Sequence, residues 1–344
     1  MTDWPPILGL AFAALATRAT ILLAALAIDW LVGEPDLLWR RVPHPVVLFG
    51  RAISFMDRHL NKRRGVTGKS RQARGALAIL ALVCLAATGG WVLSFGGPVV
   101  SCLVLAVLLA ARSLDEHIRA VAAAMEDGLA PARRAVGMIV GRDTSGLKKA
   151  DIARAAIETG AENLSDGVIA PAIWFLVAGL PGLLVYKMVN TADSMIGHRD
   201  RRHLAFGWAA ARLDDGLNLP AARLTAVGFA LAAGITQAAP FAALRAALRA
   251  AWRDAGGHLS PNAGWPEAAV AGALGLTLGG PRSYAGRSVD LARMGDGQAP
   301  TGAPDIMRAL ALYRATLNLT TCLVAGALAL LWAFGAADFS SHPF

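Results

Sequence analysis

The chain has 344 residues, 55% of them hydrophobic and 17% charged, with a formal net charge of +9 and a mean hydropathy of +0.48. That balance excludes an ordinary soluble domain, in which about a quarter of residues are charged. The basic excess does not read as a nucleic-acid surface, because no aromatic platform interleaves it and no binding module is recognisable.

Apolar runs recur along the chain at Ile7–Val32, Ala76–Phe95, Pro98–Ala111, Val168–Val185, Leu224–Ala239 and Ala309–Phe334. A transmembrane helix needs roughly 20 apolar residues, so the shorter runs require tilt or a re-entrant path. The first run reads as a retained anchor rather than a signal peptide. No Lys or Arg precedes it, Asp29 sits near its end, and no clean small-residue cleavage site follows. Arg18 lies inside it, and a charge at mid-bilayer costs about 2.5–3.5 kcal/mol. Either the span begins near Ala19 or Arg18 snorkels outward.

The segment from Arg40 to Arg74 is dense in Lys and Arg and reads as cytoplasmic. Within it "GVTGKS" (Gly65–Ser70) ends like a phosphate-binding loop. Arg63 occupies the first glycine position, however, and no strand precedes the segment. Ala76–Ala111 reads as a helical hairpin that turns at "FGGP" (Phe95–Pro98) and returns to the cytoplasm at Arg112. Cys84, Cys102 and Cys322 stand apart in apolar runs, with no CxxC or HExxH nearby, and read as small buried hydrophobes.

Four polar constellations flank the apolar runs. The first holds Asp29, Gly33, Glu34, Pro35, His44 and Pro45. The second is "GRDTSGLKKADIARAAIETGAENLSDGVIAP", in which Glu158, Glu162 and Asp166 share a helix face if the helix continues past Gly167 and Pro171. Thr144 or Ser145 is placed there to cap the following helix. The third places Asn190 and Asp193 on one turn and clusters Arg212, Asp214, Asp215 and Asn218 at the end of the next helix. The fourth contains His258, Ser260, Asn262, Glu267, Arg282 and Tyr284. Lys148, Lys149 and the Arg199–Arg202 run read as solvated faces. Carboxylates and amides packed against apolar helices, by contrast, read as ligands for an internal substrate or a metal–phosphate group.

These blocks together carry a resemblance. Asp29-x3-Gly33-Glu34-Pro35 with Pro43-His44-Pro45, Gly141-Arg142-Asp143-Thr144-Ser145 and Glu162-Asn163-x-Ser165-Asp166-Gly167 occur in that order. Asn190-Thr191-x-Asp193-Ser194-Met195, Phe206-Gly207-Trp208, Arg212-Leu213-Asp214-Asp215 and Ser260-Pro261-Asn262-Ala263-Gly264-Trp265-Pro266-Glu267 follow. In this order they resemble the adenosylcobinamide-phosphate synthase family of cobalamin biosynthesis, the CbiB/CobD-type membrane proteins, from about Asp29 to Leu331. Glu34 stands where that family usually has Asp, and His198 where Tyr is common. Residues 1–18 are an extension outside the match, and 1–344 otherwise reads as a single membrane domain.

The resemblance implies an all-α polytopic membrane protein with broken or re-entrant helices and cytoplasmic helical loops, in the cell's cytoplasmic membrane. It implies an ATP-dependent ligase joining the carboxylate of adenosylcobyric acid, a corrinoid, to the amine of aminopropanol phosphate or aminopropanol. ATP and Mg²⁺ are the implied co-substrate and metal, membrane lipid surrounds the chain, homo-oligomerisation is left open, and no nucleic acid is involved.

By residue type, Asp193, Asp214 and Asp215 are the metal candidates. Arg142, Lys187 and Arg212 suit phosphate, and Glu162, Asp166 or Asp193 suit catalytic roles such as accepting the amine proton. His44, Asn190, Asn262 and Glu267 complete the binding set. Two rivals, a transporter and a non-catalytic membrane signalling protein, fit less well. The chain shows no convincing inverted repeat, and it keeps both the Asn190–Asp193 and Ser260–Glu267 blocks.

Because ATP is cytoplasmic, a single crossing by Val168–Val185 would put the polar blocks at its ends in opposite compartments. Pro171 and "GLPG" (Gly179–Gly182) interrupt the run, so it is expected to be a re-entrant hairpin, the alternative being a steeply tilted single span with its ends near a deep cavity. The hairpin would gather Glu162, Asp166, Lys187, Asn190 and Asp193 on the cytoplasmic side.

Overall fold

The computed structural model describes residues 6–33, 39–62, 67–141, 143–198, 200–280, 282–284, 287–289 and 292–340. Arg142 and the Glu34–Pro35 pair lie outside them. In chain order the helices are α1 (Pro6–Val32), α2 (Pro45–Leu60), α3 (Gly68–Ser94), α4 (Gly97–Leu108), α5 (Ala111–Glu126), α6 (Leu129–Gly137) and α7 (Lys149–Leu164). A π-helical turn, Ser165–Ile169, leads into α8 (Ala170–Ile196), α9 (Trp208–Thr236), α10 (Pro240–Asp254) and α11 (Gly264–Leu274), and α12 (Ala303–Ser340) closes the chain. Sheet among the described residues is confined to two antiparallel ribbons between α11 and α12. One pairs β1 (Leu278–Gly279) with β4 (Arg293–Met294), and the other pairs β2 (Arg282–Tyr284) with β3 (Arg287–Val289).

Six stretches among the described residues are long and apolar enough to cross a membrane: Ala11–Val32, Gly68–Ser94, Gly97–Glu126, Lys149–Ile196, Trp208–Thr236 and Ala303–Ala333. The chain is an all-α polytopic membrane protein. Cys84 and Cys322 are exposed on these helices and Cys102 is half-buried, which corrects the reading of all three as buried hydrophobes. A lipid-facing position accepts a small thiol as readily as a core does, and apolar sequence alone does not separate the two.

The chain forms two compact units, neither of them a continuous stretch. The first comprises Met1–Leu109, Pro171–Leu217 and Thr321–Phe344. In it α1 packs on α4, α2 on α3, and α3 on α4. The α3–α4 hairpin turns at Phe95–Gly96 as expected, with Gly97 at φ +76° supplying the reversal. Of the "GVTGKS" segment, residues 67–70 are described, and they form the start of α3. Thr67 is the N-cap of α3, its hydroxyl accepting the Ser70 N–H at 3.2 Å.

Within this unit α8 is broken. Gly179 has φ 64° and ψ −149°, outside any helix. A Cβ placed on Gly182 would overlap the carbonyl oxygen of Trp174, although a straight helix would separate those residues by about 12 Å. The chain therefore doubles back at the "GLPG" interruption, as the sequence predicts. Arg18 lies against the break, donating from Nη1 to the carbonyls of Leu176 at 3.1 Å and Val177 at 2.7 Å. These are carbonyls that a broken helix leaves without intrahelical partners. The side chain caps a half-helix.

The second unit comprises Ala110–Ala170 and Asn218–Thr320. Here α5 packs on α6 and α7, α7 on α11, and α10 on α11. Between α6 and α7 the expected cap is corrected. Thr144 instead donates its hydroxyl to the Arg133 carbonyl at 2.9 Å, and Ser145 closes an Asx turn on Asp143. The N-terminus of α7 is held by Asp151, whose carboxylate accepts the Lys148 N–H at 3.2 Å. After α7 the helix does continue, but through the π turn, in which the Ala170 N–H reaches the Ser165 carbonyl. The wide turn accommodates Pro171, which has no N–H and would clash with the carbonyl four residues back.

A second correction concerns α9. Arg212, Asp214, Asp215 and Asn218 lie in its opening turns, not at a helix end, because the helix runs on through Pro220 to Thr236.

Candidate functional site

In the first unit the break in α8 leaves a second arm ending in Lys187, Asn190 and Asp193, all half-buried. Asn190 donates from Nδ2 to Oδ1 of Asp214 at 3.2 Å, tying that arm to the opening turns of α9. Asp215, one residue on, pairs with the exposed Arg212 at 3.7 Å. Thr191 and Ser194 return their hydroxyls to the carbonyls of Lys187 and Asn190, at 2.6 and 3.0 Å. Both polar side chains are thereby satisfied on their own helix. Beyond them the Asp193 carboxylate folds over the helix end at Gly197, where any Cβ would overlap it. The result is three carboxylates and an amide at the end of α8 and in the opening turns of α9, with an exposed guanidinium alongside.

His44, also in this unit, is half-buried at the N-terminus of α2. Its Nδ1 accepts the Val46 N–H at 3.2 Å, so the Nε2–H donates to the Val107 carbonyl at 3.3 Å. The ring meets Trp39 edge-on at 4.6 Å. The expected substrate contact would therefore involve a histidine that already positions α2.

In the second unit Glu162 and Asp166 are half-buried at the end of α7 and in the π turn. The extra residue per turn there takes Asp166 off the phase that an unbroken helix would give it. Glu158, one turn earlier, is buried and accepts the Gly279 N–H at 2.7 Å, fastening β1 to α7. Asn262 and Glu267 are buried. Oδ1 of Asn262 accepts from Arg223 at 2.6 Å, and Oε1 of Glu267 lies 3.7 Å from Nε2 of His258. The "SPNAGWPE" block folds this way because Ser260 Oγ accepts the N–H groups of Asn262 and Ala263, both at 3.2 Å, and starts α11.

Arg223 is the residue the sequence reading passed over. Its guanidinium also lies 4.8 Å from the Trp265 ring, a cation–π arrangement. The signal was present, since a charge one residue before the Leu224 run is an intramembrane charge once α9 is known to start at Trp208. A second omission is Asp57, buried near the end of α2. It pairs with Arg202 and lies 3.6 Å from Nε2 of His203. Arg202 is exposed, as a solvated run implies, and it is also the structural partner of Asp57.

Outside the spans, hydrogen bonds shift the surface carboxylates. The N–H and hydroxyl of Ser145 hold Asp143 below the usual carboxylate range. The His203 N–H does the same for Asp200.

Among the described residues no group of three or more His, Cys, Asp or Glu side chains converges as a metal cage. The donor set nevertheless fits Mg²⁺, which typically takes one or two carboxylates and completes its shell with phosphate oxygens and water. Asp193, Asp214 and Asp215 offer carboxylates of that kind.

The CobD/Cbib protein family model matches residues 22–313. The chain belongs to the CobD/Cbib family. It is 51% identical over 309 residues to the cobalamin biosynthesis protein CobD of Sinorhizobium fredii, covering 87% of this chain and 94% of that protein. It is 49% identical over 316 residues to the CobD of Rhizobium meliloti, covering 89% and 96%. The CobD of Rhodobacter capsulatus is 45% identical over 326 residues, covering 91% and 98%. No solved structure matches the chain. Arg18 falls outside the family match, yet the half-helix it caps lies within it.

Proposed function

We propose that this CobD/Cbib protein acts in cobalamin biosynthesis as an ATP-dependent ligase. It joins the carboxylate of adenosylcobyric acid to the amine of aminopropanol phosphate, at the cytoplasmic face of the cytoplasmic membrane. The observation that carries this reading is near-full-length similarity, at about half identity, to proteins named for cobalamin biosynthesis. The polar groups seated at the ends of apolar helices support it.

The chemistry sets what the residues must do. An amine does not displace oxide from a carboxylate, so the carboxylate oxygen first attacks the γ-phosphorus of ATP, giving an acyl phosphate and ADP. The amine then attacks the acyl carbon, phosphate leaves, and the ammonium proton passes to a base. Phosphoryl transfer of this kind depends on positioning and on cations against the spreading charge. Lys187, Arg142 and Arg212 are the cations assigned to phosphate. A Mg²⁺ held by one or two of Asp193, Asp214 and Asp215 would neutralise phosphate charge.

Glu162 or Asp166 accepts the amine proton, each half-buried and so open to a bound substrate. Asn190 orients Asp214 through its amide. His44, Asn262 and Glu267 contribute to binding, the last two as buried groups on a rigid helix start.

The test is purified protein with adenosylcobyric acid, aminopropanol phosphate and Mg-ATP. One amide and one ADP formed per turnover are expected. ATP-independent movement of corrinoid across sealed vesicles, with no amide, would replace the ligase with a transporter.

A further inference from the structure

Helix α10 carries a pattern that the ligase reading leaves unused. One face is consumed by packing, with Ala247, Ala250 and Ala251 buried against α11 and its surroundings. A neighbouring face exposes Phe241, Leu248 and Trp252, the first and last of them more than four-fifths exposed at 84% and 81%, with the Trp252 ring edge-on to Trp265 of α11 at 5.7 Å. Spaced by seven and four residues, these three form a single stripe along the helix. Arg245, Arg249 and Arg253 follow the same period along one edge of the stripe, and all are exposed.

Arg253 is engaged by Asp254 and Asp296, at 2.5 and 2.6 Å, so Arg245 and Arg249 are the pair that gives this edge its outward charge. The helix begins at Pro240, with three residues between it and the end of the candidate span Trp208–Thr236. Gly234 near the end of that span packs against Leu244, where an added Cβ would lie 3.2 Å from Cδ1.

We propose that α10 is an interfacial helix whose exposed face binds an anionic lipid surface. Phe241, Leu248 and Trp252 enter the boundary between acyl chains and headgroups. Arg245 and Arg249 sit at headgroup level against lipid phosphates. Trp, Phe and Leu beside a basic edge are the composition that lies in the membrane plane. The short connection to a span holds the helix at that depth, and the two arginines supply the charge complementarity for anionic lipid. A protein partner would need this face away from the bilayer, and a three-residue tether does not provide that.

The test uses full-length protein with Cys84, Cys102 and Cys322 replaced by Ala and single nitroxides at 245, 248, 249 or 252. The protein is reconstituted in vesicles of phosphatidylcholine alone or with one-quarter phosphatidylglycerol. Positions 248 and 252 are expected to favour collision with oxygen and to exclude a water-soluble nickel chelate, with the reverse at 245 and 249. Phosphatidylglycerol is expected to deepen 248 and 252, and the double change Arg245→Gln, Arg249→Gln is expected to remove that shift. Equal chelate access at all four positions would overturn the interfacial helix. Depths that ignore phosphatidylglycerol in the unmodified helix would overturn its binding of anionic lipid.

Discussion

Asp214 is the carboxylate whose neighbourhood makes the sharpest claim. It accepts a hydrogen bond from Asn190 at 3.2 Å, and an amide at position 214 could still accept that bond through its oxygen. Asp214→Asn therefore separates geometry from charge. If its charge serves phosphoryl transfer, the variant keeps its fold and loses amide formation by about 10²-fold or more, in the range for removing one preorganised electrostatic group. Near-normal turnover in saturating Mg²⁺ would reduce Asp214 to a structural partner. Asp193→Asn is expected to lose activity in the same way, with insertion and purification unchanged.

A second residue-scale prediction concerns acid stability. The Arg253 guanidinium, and then the Gly295 N–H, hold Asp254 below the usual carboxylate range. A pKa depressed in the folded state gives stability that is complete above the unfolded value, about 3.9, and lost as pH falls through the lower folded value. The protection factor of the Gly295 amide, measured against its intrinsic exchange rate at each pH, should therefore fall below about pH 4, and Asp254→Asn should flatten that dependence.

At the scale of the element, the interrupted helix α8 shows what the sequence carried and what it did not. Two glycines and a proline in "GLPG" were enough to predict the interruption, because they are residues a continuous apolar helix does not favour. Nothing local identified what would satisfy the freed carbonyls, since Arg18 is more than 150 residues away in the chain. The same limit hid the Asp57–Arg202 pair and the Arg223–Asn262 contact, each a meeting of a charge with a partner distant in the chain. The α9 error had another cause. Pro220 and the polar turn before it look like a boundary, whereas helices buried in lipid keep a proline when neighbouring groups re-satisfy the backbone.

The α8 break is testable through Arg18. Arg18→Met removes the donor to two carbonyls while keeping an apolar stem, and should destabilise the protein by about 1–3 kcal/mol. Arg18→Lys should recover part of the loss. Denaturation in mild detergent measures both, and an Arg18→Met protein as stable as the parent would mean that water satisfies those carbonyls.

For the whole molecule, the deciding question is which compartments the ends of the Lys149–Ile196 stretch face. That stretch is 48 residues long, about 72 Å if it ran straight and more than twice the hydrocarbon thickness. It does not run straight, because the chain reverses at Gly179 and returns past Trp174. From Gly179 to Asn190 the second arm rises only about 17 Å at 1.5 Å per residue, roughly half the hydrocarbon thickness. An arm of that length, starting from a turn inside the bilayer, brings Asn190 back toward the side from which the first arm entered. Both polar blocks are then expected in the cytoplasm, where ATP is. Single cysteines at Asn163 and Ser194 test this, both positions being exposed, whereas Ser165 is buried and would be a poor reporter. In cells expressing protein freed of Cys84, Cys102 and Cys322, an impermeant maleimide should label neither site from outside and both after permeabilisation. Outside labelling at one site and not the other would mean that the stretch crosses the membrane once, and the chemistry would have to be rebuilt from residues on the ATP side alone.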